Sequence, residues 1–341
     1  MPRLLIVSDA WHPQVNGVVR SLDNVGRTLA RRGYTVRYLT PEPFWTLPLP
    51  TYPEIRVSMP SLRVIDEFID GFAPDHIHIA TEGPLGLAAR GYCVARGMAF
   101  TTSYHTRFPE YVAARLPVPV EWSYGYLRWF HAGASATMVP TLSVLRDLRR
   151  RFFRHLAIWS RGVDLDAFSP GPKAMFAGLP GPHLLYAGRV AVEKNVEAFL
   201  ALDHPGTKIV VGDGPQRAAL AERYPDVVFT GKLTGSTLRD AYRSADAFVF
   251  PSRTDTFGNV MLEAMACGTP VAAYPVMGPI DVIVGGRGGA LADDLGAAVR
   301  RALEIPRREA LARAAEFTWD AAAEQFARHL APVRREMAKV A

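Results

Sequence analysis

The chain has 341 residues, a formal charge of +6, 49% apolar residues and 21% charged ones. That profile suits a soluble globular protein with room for two cores, and the modest positive charge fits an anionic ligand or membrane surface without singling out nucleic acid. Its two cysteines, Cys93 and Cys267, lie far apart and argue against a disulfide framework or a zinc ribbon. No apolar run approaches the length of a transmembrane helix, and the opening MPRLLIVSDAWHP goes straight into a strand pattern, which predicts a cytoplasmic protein.

In chain order, RLLIVSD reads as a buried strand, and Val18, Val19, Leu22, Val25 and Leu29 recur at helical spacing up to Gly33. YTVRYLT is a second strand. SLRVIDEFIDGF predicts a helix, HIHIAT a strand, PLGLAARGYCVARG a helix and AFTTSYH a strand, with TMVP and LAIWSRGV continuing the series. Strands separated by helices predict a parallel sheet covered on both faces.

The pattern then restarts. HLLYAGR, TKIVVGDG, VVFTG, DAFVFPS and TPVAAYP read as strands with helices between them. Periodicity is lost in DLDAFSPGPKAMFAGLPGPH, where proline and glycine cluster. The expected organisation is an α/β chain of two Rossmann-like domains, 1–168 and 169–318, facing each other across a cleft at their strand C-termini. A helix in 319–341 is expected to pack back on the first domain.

The stretch PSRTDTFGNVMLEAMACGTP places Asp255 and Glu263 on either side of a small loop, Thr256 to Asn259, that runs into an apolar helix. Free N–H groups at a helix start stabilise an anion, whereas two acids there suit hydroxyl groups on either side of it. Together they predict a ligand with a central phosphate and polyols at both ends. In GRVAVEKNV, Arg189 follows a strand and Lys194 precedes a helix, a spacing able to clamp a diphosphate. Two solvated surface charges are the alternative.

Other signals are weaker. VVGDGP has G-x-G but carries Arg217 where a dinucleotide fingerprint wants glycine, so a tight turn explains it. Asn16 and Gly17 precede the first helix, where a glycine lets a phosphate or sugar approach the backbone. His105, Arg107 and Glu110 leave a strand in a polar loop, and His105 is a candidate for hydrogen bonding or proton handling, or a structural histidine. His76 and His78 lack a third ligand for a metal, and Asp164 to Asp166 reads as turn chemistry.

GRVAVEKNVEAFL, VGDGP, FTGKLT and PSRTDTFGNVMLEAMACGTPV, in that order, resemble the family-4 retaining glycosyltransferases of GT-B fold. PQVNGVVRSLDNVGRTLARRGYTV resembles their acceptor-domain opening and RGVDLDAFSP their hinge. HIATEGPLG, SYHTRFPEY and TDTFGN look most like the members that glycosylate diacylglycerol or related lipids.

The resemblance implies that Glu263 holds the ribose hydroxyls of a nucleotide sugar, expected to be a UDP-sugar. Asp255 stands in the first acid position of an E-x7-E pattern, where most relatives have glutamate, and touches the donor sugar. Phe257, Gly258, Asn259 and Val260 offer backbone amides. Arg189 and Lys194 neutralise the leaving diphosphate, Gly17 contacts it, and His105 lies near the anomeric carbon. Gly231, Lys232 and Leu233 frame the base, while Asn16, Glu82, Tyr104 and Arg107 fall on the acceptor side. Transfer of a hexose or uronic acid with retention and without metal or cofactor follows from the same resemblance.

The acceptor is expected to be a lipid at the inner face of the cell membrane. Trp122, Tyr124, Tyr126, Trp129 and Phe130 interleave with Arg115 and Arg128, and RDLRRRFFRHL follows. Such a mixture suits an anionic lipid surface, or equally a helix burying its aromatics. A polysaccharide or small-molecule acceptor and a nucleotide-sugar 2-epimerase remain alternatives, and no nucleic-acid partner is expected, because the charges are spread along the chain.

Overall fold

The computed structural model describes residues 1–12, 16–49, 52–113 and 118–333. Its contacts divide the chain into two units, one holding Met1–Ser160 with the segment from Trp319 onward, the other Arg161–Thr318.

In the first unit the strands are β1 (Arg3–Val7), β2 (Thr35–Leu39), β3 (Trp45–Leu49), β4 (Tyr52–Met59), β5 (His76–Ile79), β6 (Thr101–Ser103), β7 (Ala136–Val139) and β8 (Leu156–Ile158). The helices are α1 (Gly17–Arg31), α2 (Leu62–Phe72), α3 (Pro84–Ala95), α4 (Phe108–Ala113), α5 (Val120–Ala132) and α6 (Leu142–Arg150). Six of the strands form a parallel sheet in the order β2-β1-β5-β6-β7-β8. Leu5, Val7, Ile77 and Ile79 face one core, and Leu4, Ile6 and Met138 face the other. That two-sided burial is why these strands read as continuous apolar runs rather than as alternation.

Helix α1 starts where Asn16 accepts hydrogen bonds from the Val18 and Val19 amides, both at 3.0 Å, and it buries Val19, Leu22, Val25 and Leu29. The antiparallel pair β3–β4 and the short α4 had no clear sequence signal. Pro48 and Pro53 interrupt the first of these, and residues usually avoided in strands mask a hairpin.

The second unit holds β9 (His183–Ala187), β10 (Thr207–Val211), β11 (Val228–Gly231), β12 (Ala247–Phe250), β13 (Val271–Ala273) and β14 (Gly289–Leu291). Its helices are α7 (Val196–Leu200), α8 (Arg217–Arg223), α9 (Gly235–Ser244), α10 (Asn259–Ala266), α11 (Pro279–Val282), α12 (Leu295–Leu303) and α13 (Arg307–Ala314). The strands form a parallel sheet in the order β11-β10-β9-β12-β13-β14. Leu185, Ile209, Phe248 and Val271 face one core, and Leu184, Val210, Val249 and Ala272 the other.

The chain leaves the first unit after Ser160, eight residues before the boundary expected from composition. Val163 bridges Thr318 and its amide donates to the Phe317 carbonyl at 3.0 Å, while Phe168 packs edge-on against Tyr242, so residues 161–168 join the second core. Composition marks where periodicity fails, whereas these few packed side chains decide membership. Helix α14 (Trp319–His329) belongs to the first unit: Ala322, Ala323 and Phe326 pack with Leu22 and Val25 of α1, and Gln325 accepts from the Ser160 amide at 2.9 Å.

Candidate active site

The strand order of the second sheet reverses between β9 and β12, and in open α/β sheets ligands bind at the carboxyl ends of strands beside such a reversal. The loops after these two neighbours carry the two sequence motifs. After β9, Arg189 follows Gly188, its carbonyl accepting from the Tyr186 hydroxyl at 2.7 Å. A single 3-10 turn, Val192–Lys194, then presents Lys194, and Asn195 takes the left-handed conformation (φ 51°) and donates to the Pro251 carbonyl at 3.1 Å. Ser252 and Thr254 donate to the Glu193 carbonyl at 3.4 and 3.2 Å, tying the second loop to the first.

The motifs meet directly. Lys194 Nζ lies 2.5 Å from Asp255 Oδ1 in a largely buried ion pair. Asp255 Oδ2 is sealed from solvent and has no hydrogen-bond partner among the described residues. A buried carboxylate oxygen left unmade is costly, and a ligand hydroxyl donating to it removes that cost.

Helix α10 follows at once. Its cap residue, Gly258, has φ 93° and brings no side-chain acceptor to the first-turn amides. Only glycine fits, since a Cβ there would lie 2.8 Å from Met261 Cε and 2.9 Å from the Phe250 ring. A helix start whose cap residue brings no side-chain acceptor, entered by the loop whose Asp255 pairs with Lys194, can favour an anion. One turn further, Glu263 is buried on the same helix and accepts a hydrogen bond from the Tyr242 hydroxyl at 2.9 Å. Phe257 turns its ring into the core against Phe317, which leaves its backbone to line the loop. At the end of β11, Gly231 is buried and its carbonyl accepts from the Gly212 amide at 2.8 Å, Lys232 is exposed, and Leu233 packs on the core.

The first sheet reverses between β1 and β5. Asp9, at the end of β1, accepts from the Leu85 amide at 2.8 Å, the Gly86 amide at 3.1 Å and the Thr81 hydroxyl at 2.8 Å, and so caps α3. The close approach demands Gly83, where a Cβ would stand 2.5 Å from Asp9 Cγ. Burial raises the Asp9 carboxyl above its usual range, outweighing the hydrogen bonds that lower it. Asp9 thereby holds the turn that carries Glu82, whose Oε1 is 3.2 Å from His131 Nε2 and whose carbonyl accepts from Tyr126 at 2.7 Å.

After β6, Tyr104 is buried and its amide donates to the Met138 carbonyl at 2.9 Å. His105 packs edge-on against Trp159, with ring centroids 5.6 Å apart. Arg107 pairs with Glu110 at 2.5 Å, and the Tyr124 hydroxyl donates to the same carboxylate at 2.7 Å. Burial pushes the Tyr124 phenol up to about 12, helped by Glu110. Asn16 serves as the cap of α1, and Gly17 is its first residue.

Among the predicted residues, then, Lys194 touches Asp255, the Asp255 loop runs into α10 and Glu263, and Arg107 touches Glu110. Sequence reasoning passed over Asp9, His131 and Tyr242, and it read Tyr124 as part of an aromatic surface run rather than as the partner of Glu110. Asp9 had a readable signal, an acid ending an apolar strand. His131 and Tyr242 lie in the last turns of α5 and α9 with nothing in the pattern to mark them. The aromatic run divides: Tyr124 and Phe130 are buried, Trp122 and Trp129 are exposed, and Arg115 falls outside the described residues. Asp164 accepts from the amides of Asp166 and Ala167, which is turn chemistry.

Comparison with known proteins decides the family. The family described as Glycosyltransferase Family 4 matches residues 15–167, and Glycosyl transferases group 1 matches residues 181–305. A GDP-mannose-dependent alpha-mannosyltransferase of Mycolicibacterium smegmatis is 32% identical over 320 residues, 85% of this chain and 84% of that protein. The chain belongs to the group 1, family 4 glycosyltransferases. A sulfoquinovosyl transferase of Arabidopsis thaliana is also 32% identical over an alignment of 312 residues, which covers 82% of this chain and 60% of that one. In structure, sucrose-phosphate synthase from Thermosynechococcus elongatus superposes with a TM-score of 0.78 at 21% identity, over 96% of this chain and 98% of that one, which shows the GT-B fold. The chain is a glycosyltransferase with two parallel-sheet α/β units.

Proposed function

We propose that this glycosyltransferase moves a hexose from a nucleoside diphosphate sugar to a lipid hydroxyl with retention of anomeric configuration and without a metal ion. The observation that carries the reading is the pairing of an orphaned carboxylate oxygen on Asp255 with a lysine and a helix start capped by glycine, all beside the strand-order reversal. A sugar hydroxyl answers the first and a diphosphate the others.

Breaking the sugar–phosphate bond builds negative charge on the diphosphate and positive charge on the anomeric carbon. Arg189, Lys194 and the amides of Phe257 to Val260 stabilise the first, and fixed charges do this most strongly where water is excluded. These cations supply the charge a divalent ion would otherwise bring. The acceptor hydroxyl attacks the face the phosphate leaves and gives its proton to a departing phosphate oxygen. Glu263 takes the ribose hydroxyls and Gly231 to Leu233 the base. Gly17 and His105 keep their proposed donor-side roles, and Asn16, Glu82, Tyr104 and Arg107 their acceptor-side ones. The name of the mycolicibacterial relative puts GDP-mannose ahead of the UDP-sugar expected from sequence.

Support for a lipid acceptor comes from the surface of the first unit. Trp122 and Trp129 are 73% and 52% exposed, and the Arg90 guanidinium lies 4.1 Å over the Trp129 ring. Arg149, Arg150 and Phe152 are exposed nearby in sequence, whereas Arg151 is engaged by Asp147 and by the Tyr124 ring. Exposed aromatics among arginines suit a peripheral position on anionic lipid. Among the described residues no helix is long and apolar enough to cross a membrane.

The test supplies GDP-mannose, UDP-glucose, UDP-glucuronate and ADP-glucose with EDTA and diacylglycerol-containing anionic vesicles, and identifies the product by mass and its anomer by NMR. An α-linked glycolipid is expected. An inverted product, an EDTA-inhibited reaction, exclusive transfer to soluble acceptors, or a C2-epimerised nucleotide sugar without acceptor would each overturn part of the reading.

A further inference from the structure

Glu263 is a charge held in an apolar place. It sits in the middle of α10 among Met261, Leu262, Ala264 and Met265, all buried, and only 6% of its own surface is exposed. A buried carboxylate is tolerated only when hydrogen bonds meet it, and one of those it accepts comes from a neighbouring helix, from the Tyr242 hydroxyl at 2.9 Å.

Tyr242 is itself fixed on every side. Its ring is fully buried, edge-on to Phe168 at 5.9 Å and to Phe248 at 5.7 Å. Its carbonyl accepts from Thr269 Oγ1 at 2.6 Å, from just beyond the end of α10. Arg307 completes the brace: Nη2 donates to the Cys267 carbonyl at 2.8 Å and to the Arg243 carbonyl at 3.0 Å, and Nη1 to the Ala245 carbonyl at 3.0 Å. The C-terminal ends of α9 and α10 are thus bound together around the phenol. A side chain with two torsions, locked in this way, can hold its partner in one rotamer.

We propose that Tyr242 is the positioning residue for Glu263, fixing the plane of the carboxylate so that both ribose hydroxyls of the donor meet it together. This rests on the reading of Glu263 as the ribose acid. Bidentate contact with a vicinal diol requires the carboxylate to hold one orientation, and the long glutamate side chain does not supply that by itself. A phenol donating to one oxygen stabilises the ionised form and sets the rotation about the last bond. The role is indirect: Tyr242 is buried and touches no reacting atom.

The experiment measures GDP and UDP affinity by calorimetry, and KM and kcat for the donor, in the full chain. Tyr242→Phe keeps the ring and removes only the hydroxyl. It is expected to weaken nucleotide binding and raise donor KM about tenfold, the scale of one lost hydrogen bond to a charged group, with kcat at saturation within about twofold. Glu263→Ala separates the two levels of the argument. If Tyr242 acts through Glu263, adding Tyr242→Phe to Glu263→Ala changes nucleotide affinity no further. Equal losses in both backgrounds would show a merely structural tyrosine and overturn the proposal, as would an unchanged KM in Tyr242→Phe. Unchanged affinity in Glu263→Ala would instead remove the ribose reading beneath it.

Discussion

Each unit has a six-stranded parallel sheet whose strand order reverses at one point, yet they place chemistry there differently. In the second unit the candidate groups arrive in three short contiguous stretches, 189–194, 231–233 and 255–263, and the loops bearing the first and last are hydrogen-bonded to each other. In the first unit they come from separate loops, at 16, 82 and 104–107, and their partners His131 and Tyr124 sit on α5. A ligand with constant chemistry, a diphosphate flanked by polyols, suits a contiguous, pre-formed cradle. A ligand whose chemistry varies from protein to protein suits dispersed loops that can change independently.

That contrast can be broken most readily at Lys194. Lys194→Ala removes the cation proposed to meet the leaving diphosphate and strands the largely buried Asp255 carboxylate. A fall in kcat/KM of about a hundredfold to a thousandfold is expected, in line with losing one strong electrostatic contact to a developing charge. A loss confined to melting temperature would show that the pair is structural and that the second unit is no better defined than the first. Asp255→Ala sharpens the same point with a smaller effect. Transfer should slow about tenfold to a hundredfold, while GDP and UDP affinities stay within about twofold, because the partner proposed for this acid is the sugar and not the nucleotide. A matching loss of nucleotide affinity would move Asp255 away from the sugar.

The sequence made the second unit easier to read for a physical reason. Its candidate ligand groups are backbone amides, a glycine and nearby charges, whose spacing along the chain is fixed by one strand end and one helix start. Gly258 and Glu263 could be placed that way, and the strands could be recognised because burial on both faces makes them continuously apolar. Tyr242 could not, since its partnership with Glu263 depends on how α9 packs on α10 and leaves no periodic trace. Nor could the division of the α5 aromatics, where Tyr124 is buried and Trp122 exposed. The interleaving of aromatics and arginines there was visible, but which face is covered is decided by neighbours remote in the chain. The unit boundary failed to show for the same reason, resting on Val163 and Phe168.

The smallest expected effect tests whether the reversal point of the first unit is scaffolding. Burial holds the Asp9 carboxyl above its ordinary range, so the folded state binds that proton more tightly than the unfolded state does. Stability contributed at this residue is therefore highest below the unfolded value, 3.8, and declines as pH rises through the raised folded value, above which the cost of burying the charge is fully present. Asp9→Asn has the same shape, does not titrate, and presents an amide N–H₂ where one of its three donors needs an acceptor. The variant should be less stable by about 1–3 kcal/mol near pH 4, and thermal unfolding should show that gap narrowing toward pH 7 as the wild type alone loses stability. GDP and UDP affinity should not change, because every group proposed to hold the nucleotide in the second unit remains in place. Parallel unfolding curves would mean that Asp9 ionises in the fold without cost. A shift in nucleotide affinity would mean that the capped turn before α3 does more than carry Glu82.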